Sequence, residues 1–123
     1  MREAPEVLPS GWYRDETRVG RLRFAFERLS ALRDQHGFRL LLVVFPFHET
    51  DAEGVYTHRV AHAIVGLEAE RTRLPVLDLS GPFQRRGLVA LRNHPDDPVH
   101  PSPEGHQMAA DVIWDWWMSN HVL

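Results

Sequence analysis

The chain has 123 residues, of which 43% are hydrophobic, and its formal net charge is −3. This length predicts one small domain with a modest core. All 14 basic residues are arginine, and they are interleaved with acids, which argues against the concentrated basic face of a nucleic-acid-binding protein. Cysteine is absent, so disulfides and thiolate metal sites are excluded.

No apolar run approaches the roughly 20 residues that cross a bilayer, so we expect no membrane span. The first residues contain no apolar stretch of the signal-peptide type. A cytoplasmic location is the expectation if the chain is complete, and localisation is otherwise open.

The N-terminal part of the chain predicts an irregular lead-in over residues 1–14, followed by one domain over residues 15–123. An amphipathic helix is predicted for residues 15–36, ending at Gly37, because apolar residues recur every three or four positions. These positions are Val19, Leu22, Phe26 and Leu29.

The middle of the chain predicts strand, helix and strand. The apolar run 38–45, closed by Pro46, is typical of a strand covered on both faces of a parallel sheet. A second helix is predicted for 52–71, and a second buried strand for 74–79. The inner positions of this helix are predicted to be Val55, Val60, Ile64 and Leu67.

The chain after Ser80 is polar and rich in turns until a last helix begins with Ser102 as N-cap and Pro103 in the first turn. Alternating helices and strands indicate an α/β fold with a parallel sheet. Two strands alone make a poor sheet, because their edges and apolar faces lack neighbours. We therefore expect that part of the sheet is missing from this sequence.

The segment with the clearest chemistry runs from Asp97 to His100. An acid three residues before a histidine, on a turn stiffened by Pro98 and Pro101, can orient the imidazole through its Nδ1–H and leave Nε2 to accept a proton. This spacing is weak evidence by itself, since a turn aspartate beside an exposed histidine often occurs by chance.

Two further interpretations concern the neighbouring histidines. A metal site could be imagined from the histidines and acids between residues 94 and 106, but their spacing matches no familiar ligand pattern, and we expect no metal. Phe47 and His48 follow the carboxyl end of the first strand, where α/β folds place their ligands, so they are weak candidates for a substrate cleft. A simple strand exit explains them equally well.

The stretch Asp97-x-x-His100-Pro101 followed by Gly105-His106 and a helix resembles the last motif of the SGNH (GDSL-like) serine hydrolases. Segments 40–47 and 75–79 resemble the fourth and fifth strands of that family. The resemblance implies a three-layer α/β/α flavodoxin-like sandwich, here without its N-terminal strands. It also implies a carboxyl-ester hydrolase or acyl-ester transferase that needs no cofactor and acts on small-molecule or glycan esters, with His100 as general base and Asp97 as its orienting partner.

The sequence departs from the family at the nucleophile. The family's serine lies in a Gly-Asp-Ser motif, and the dipeptide Gly-Asp does not occur in this chain. None of its serines lies on a recognisable nucleophile turn, so we expect the nucleophile and oxyanion donors to come from a missing N-terminal half or a partner chain. The alternative is an inactive remnant that self-associates and acts as an oligomerising interaction module.

Overall fold

The computed structural model describes residues 15–120, so the predicted lead-in at residues 1–14 lies outside the described residues, as do residues 121–123. The prediction of a mixed α/β chain is confirmed, with two parallel strands in one sheet. The elements are α1 (Glu16–His36), β1 (Leu42–Val44), α2 (Arg59–Arg71), β2 (Val76–Asp78), α3 (Ser80–Arg86), a 3₁₀ turn (Val89–Leu91) and α4 (Pro103–Asn120).

The chain divides into two compact units. The first, which we call the helical unit, holds the described residues 15–41 together with Arg59–Pro75. The second, the sheet unit, holds Leu42–His58 and the described residues 76–120. Each unit has its own stabilising contacts.

Helix α1 of the helical unit begins and ends as the sequence predicts. The Asp15 carboxylate accepts a hydrogen bond from the amide of Arg18 at 3.1 Å, which caps the N-terminus. Gly37 has a φ of 68°, and its amide donates to the carbonyl of Arg33 at 2.7 Å. This left-handed C-cap favours glycine because other residues carry a Cβ penalty there.

The contact between α1 and α2 contains an ion pair between the buried Glu68 and the partly exposed Arg23, which the apolar pattern did not predict. Glu68 is buried, and its two carboxylate oxygens each accept a hydrogen bond of 2.9 Å from the guanidinium of Arg23. Leu67, predicted as an inner position, is instead exposed. That prediction is wrong because the neighbouring Glu68 and Ala69 take the buried face.

Helix α2 begins at Arg59 and not at residue 52, and Val55 is exposed. The preceding residues form a turn in which the Asp51 carboxylate accepts the amides of Glu53 and Val55, at 2.9 and 2.8 Å. An isolated antiparallel bridge between Thr50 and Tyr56 closes this turn. A side chain that binds nearby amides offers the backbone an alternative to the helix, which explains the late start.

The sheet of the sheet unit is shorter than predicted. Strands β1 and β2 pair in parallel over three residues, with Val43 opposite Leu77. Pro75 precedes β2 and has no amide hydrogen to extend the ladder. The expectation that β1 is covered on both faces is wrong for the described residues, since all three of its residues are half-buried.

The core of the sheet unit includes α3 and the 3₁₀ turn, which were predicted to be irregular. Phe83 of α3 and Leu91 of the 3₁₀ turn are completely buried. They pack in one cluster with Tyr56, Leu79, Leu88 and Ala109. The segment from 80 to 91 therefore forms the centre of the unit rather than a surface linker.

Helix α4 begins at Pro103 as predicted, and Ser102 is its cap. The Ser102 hydroxyl accepts the amide of Gly105 at 3.2 Å, and the Ser102 carbonyl accepts the amide of His106 at 2.9 Å. The cap fixes the direction in which the chain enters the helix, directly after His100. Among residues 15–120, no helix combines the length and apolar character needed to cross a membrane.

Candidate active site

Asp97 and His100 are joined by a direct hydrogen bond, in the arrangement that their spacing predicts. The ring Nδ1 of His100 lies 2.7 Å from Oδ2 of Asp97. The other carboxylate oxygen, Oδ1, accepts the backbone amides of Val99 and His100 at 2.9 and 3.1 Å. One carboxylate therefore shapes the turn with one oxygen and orients the imidazole with the other.

These bonds also set the charge of Asp97. The backbone amide of Val99, then the amide and ring of His100, lower the pKa of the Asp97 carboxyl from 3.8 to about 2. The carboxylate is thus ionised throughout the neutral range. It accepts the Nδ1–H of His100, which leaves Nε2 of the neutral ring as the basic atom.

His100 is well placed to meet a group from outside the chain. Its side chain is 72% exposed, whereas that of Asp97 is 30% exposed. No serine hydroxyl of residues 15–120 forms a hydrogen bond with His100, and two of these serines have structural roles. The hydroxyl of Ser30 donates to the carbonyl of Thr72 in the helical unit, and Ser102 caps α4.

The pair lies on a loop that is closed at its base, which we call the His100 loop (residues 92–101). Arg92 and Pro101 form an isolated antiparallel bridge at the two ends of the loop. The amide of Asn93 donates to the carbonyl of His100 at 3.0 Å. Just beyond the bridge, the amide of Ser102 donates to the carbonyl of Leu91 at 2.7 Å, which ties the loop base to the core.

His48 attaches the His100 loop to the segment that follows β1. Its amide donates to the carbonyl of Pro98 at 2.6 Å, and its carbonyl accepts Nε of Arg92 at 2.8 Å. Arg92 also donates from a terminal nitrogen to the carbonyl of Pro95, at 2.7 Å. The loop is therefore held at its base and near its tip by one arginine and by the backbone of one histidine.

The side chain of His48 is completely buried, so it does not line an open cleft. Its Nδ1 lies 2.9 Å from the carbonyl of Leu88, to which it donates, and its ring centroid is 5.8 Å from that of Phe83. The sequence made His48 a weak candidate for a substrate contact. In the structure its ring instead faces the core and donates to the carbonyl of Leu88. Phe47 is partly exposed, and its ring centroid lies 4.6 Å from that of His58.

Burial lowers the pKa of His48, which keeps the ring neutral at pH 7. With Nδ1 protonated, Nε2 is an acceptor, and within the described chain this buried atom has no hydrogen-bond partner.

A second acid–histidine pair was missed by the sequence analysis. Nε2 of the buried His58 lies 3.0 Å from Oε2 of Glu49. Beside this pair, the hydroxyl of Tyr56 accepts the amide of Phe47 at 3.0 Å. No residue pattern indicated this pair, because His58 lies inside the predicted helix 52–71. Only the turn at Asp51 brings His58 back toward Glu49.

The remaining polar side chains of the region do not converge. The ring of His94 accepts the amide of Asp96 at 3.2 Å, and His106 lies on the exposed side of α4. In the part of the chain that the structure describes, no three histidine or acidic side chains are grouped so as to hold a metal ion.

No protein-family model matches this sequence, and comparisons with curated proteins and with solved structures give no match either. The expectation of an SGNH-type hydrolase therefore rests on the residues of this chain.

Proposed function

We propose that this chain supplies the acid–base pair of an SGNH-type serine hydrolase, acting on carboxyl esters by hydrolysis or acyl transfer. The observation that carries the proposal is the 2.7 Å contact between Oδ2 of Asp97 and Nδ1 of His100, with the His100 ring exposed to solvent. This geometry fixes the tautomer in which Nε2 can take a proton from a nucleophile.

In the proposed mechanism, Nε2 of His100 removes the proton of a serine hydroxyl as that oxygen attacks the ester carbonyl. The proton then passes from His100 to the leaving alcohol, and an acyl-serine ester remains. His100 next removes a proton from water or from an acceptor alcohol, whose oxygen displaces the serine. Asp97 stays ionised and stabilises the imidazolium that forms in each step.

The proposed complete fold is the three-layer flavodoxin-like sandwich of the SGNH family. The parallel pairing of β1 with β2, and the attachment of the His100 loop to the segment leaving the carboxyl end of β1, support it. Ligands of open α/β sheets bind at that end of the strands. The serine nucleophile and the oxyanion donors are proposed to come from upstream polypeptide or from a partner chain.

A serine-directed fluorophosphonate probe tests the proposal. The 123-residue chain and a longer product that includes the sequence encoded directly upstream of Met1 are labelled side by side. We expect labelling of the longer product only, and loss of that labelling in its His100→Ala and Asp97→Ala variants. The control is Asp96→Ala, because the side chain of Asp96 is exposed, next to Asp97 in the sequence, and not part of the pair.

Each other outcome has a clear meaning. Labelling of the 123-residue chain that depends on His100 would place the nucleophile inside the chain, with Ser80 at the carboxyl end of β2 as the first serine to replace. Labelling that survives His100→Ala, or no labelling of either product, would contradict a hydrolase whose nucleophile lies in this chain or directly upstream of it.

A second candidate function is self-association, favoured by the two-stranded sheet and by the partly exposed ring of Phe45 directly after β1. The outer edges of a two-stranded sheet carry backbone groups that can pair with a strand of another copy. Sedimentation velocity distinguishes the candidates. A stable dimer that is never labelled by the probe supports self-association, whereas an unlabelled monomer that stays folded contradicts it.

A further inference from the structure

We infer that His48 is a positioning residue for the proposed general base, and that its buried ring holds the His100 loop in the geometry that orients the imidazole. The inference rests on the proposed function for its catalytic meaning. Its structural part, that His48 controls the orientation of the His100 ring, does not depend on whether the protein cleaves esters.

The first argument is the set of bonds that His48 makes. His48 is bonded to three parts of the sheet unit. Its ring donates to the carbonyl of Leu88, its amide donates to the carbonyl of Pro98, and its own carbonyl accepts from the side chain of Arg92. Pro98 directly follows Asp97. A shift of the His48 backbone is therefore transmitted to the residue adjacent to the orienting carboxylate.

The second argument is that the ring, and not only the backbone, is required for this attachment. The ring bond to Leu88 adds a third attachment of His48 to the two that its backbone makes with Pro98 and Arg92. The His48 ring has no exposed surface, bonds to Leu88 and packs against Phe83. Without the ring bond, the buried carbonyl of Leu88 would keep only the amide of Leu91, at 3.2 Å, and the His48 ring would lose the bond that sets its orientation.

The third argument is the choice of residue. A histidine whose Nε2 is buried without a partner in the described chain is a poor choice for stability alone, because an apolar ring would avoid that unpaired acceptor. What histidine provides at this position is a planar ring whose Nδ1–H donates to the carbonyl of Leu88. Asparagine can place an N–H near the position of Nδ1, whereas glutamine places its amide nearer the position of Nε2.

These properties define a test that does not depend on activity. Two-bond ¹H–¹⁵N spectra of the 123-residue chain report which nitrogen of the neutral His100 ring carries the proton. In the unmodified chain we expect mainly the Nδ1–H form. In His48→Gln and His48→Leu we expect the ratio of the two tautomers to shift toward Nε2–H by about fivefold, the equivalent of one ordinary hydrogen bond. His48→Asn should restore the original ratio.

The comparison of asparagine with glutamine keeps the test decisive if His48→Leu does not fold. A role in core stability alone would lower the Tm of the variants and leave the His100 tautomer ratio unchanged at temperatures where each variant is folded, which would overturn the inference. Equal behaviour of the Asn and Gln variants would also overturn it. These shifts in the 123-residue chain, together with no His100-dependent labelling of the longer product, would contradict the proposed function with an upstream nucleophile and leave the role of His48 intact.

Discussion

The Cβ of Pro101 lies 2.8 Å from the position that a Cβ on Gly105 would occupy. Real Cβ atoms do not approach so closely, so only glycine fits at this position of α4. The carbonyl of Leu91 and the ring of Phe83, each at 3.6 Å, complete the surroundings of that point. The first turn of α4 is thus packed directly on the proline that follows His100.

Gly105→Ala should therefore displace Pro101 and destabilise the sheet unit by about 1–3 kcal/mol, the usual cost of overpacking. Urea denaturation followed by tryptophan fluorescence measures this change. Gly20→Ala in α1 is the matched control, because a Cβ there meets nothing within 4 Å. The control should be neutral or stabilising by up to about 1 kcal/mol, as expected for alanine in a helix. Equal destabilisation by both changes would contradict the close contact.

Asp97→Asn should preserve the turn and lose the orientation of the ring. The asparagine oxygen can still accept the amides of Val99 and His100, but its NH₂ group then faces Nδ1 of His100. We expect the Nε2–H tautomer of His100 to become the major form, because Nδ1 must accept. Nitrogen-15 spectra of the imidazole measure this change, and Asp96→Asn should leave the spectrum as it is.

Asp97 should also contribute a defined part of the acid sensitivity. Its carboxyl pKa is about 2 in the folded chain against 3.8 ordinarily, so the folded state holds the proton less tightly. The stabilisation is fully present above about pH 4 and is lost as the pH falls through about 2. Thermal unfolding between pH 2 and 5 should show a steeper loss of Tm in the unmodified chain than in Asp97→Asn. Parallel curves would contradict the lowered pKa.

His48 should act in the same direction at higher pH. Burial, and the positive charge of Arg92, lower its pKa, while the bond to Leu88 and the charge of Asp97 oppose this effect. The unfolded chain therefore binds a proton more readily, so stability is full above pH 6.5 and falls as the pH drops through the lower pKa of the folded state. His48→Asn should remove this component of the pH dependence of the Tm, and His62→Asn serves as a control in α2.

Arg23→Met should destabilise the helical unit, because it leaves the buried carboxylate of Glu68 without its two-bond partner and with only Arg71, at 3.3 Å. We expect the Tm to fall on the order of 5 °C. The control is Arg86→Met, which breaks an ion pair with Glu104 whose side chains are 46% and 51% exposed, and it should have little effect. The double variant Arg23→Met/Glu68→Met should recover stability, since no unpaired charge remains.

The sequence predicted the features that depend on near neighbours in the chain. Helix α1 ends at Gly37, and Asp97 and His100, three positions apart, form the pair that their spacing indicated. In each case the interacting groups lie within a few positions of one another, so spacing and residue type are enough. The start of α4 at Pro103 belongs to the same class.

The features that the sequence did not predict depend on distant partners. The extent of β1 is limited by Pro75, directly before β2. Helix α3 carries no periodic pattern because its seven residues mix glycine, proline and arginine. His48 meets Leu88 across 40 positions of the sequence. No local rule indicates which way the His48 ring turns, so its burial became visible only in the structure.

The orienting contact of the site is contained in four consecutive residues, and its closing bridge joins Arg92 to Pro101. Forming it requires the closure of only a very short loop, whose entropic cost is low. The pair is consequently a low-contact-order element that can assemble early during folding, before distant strands have paired.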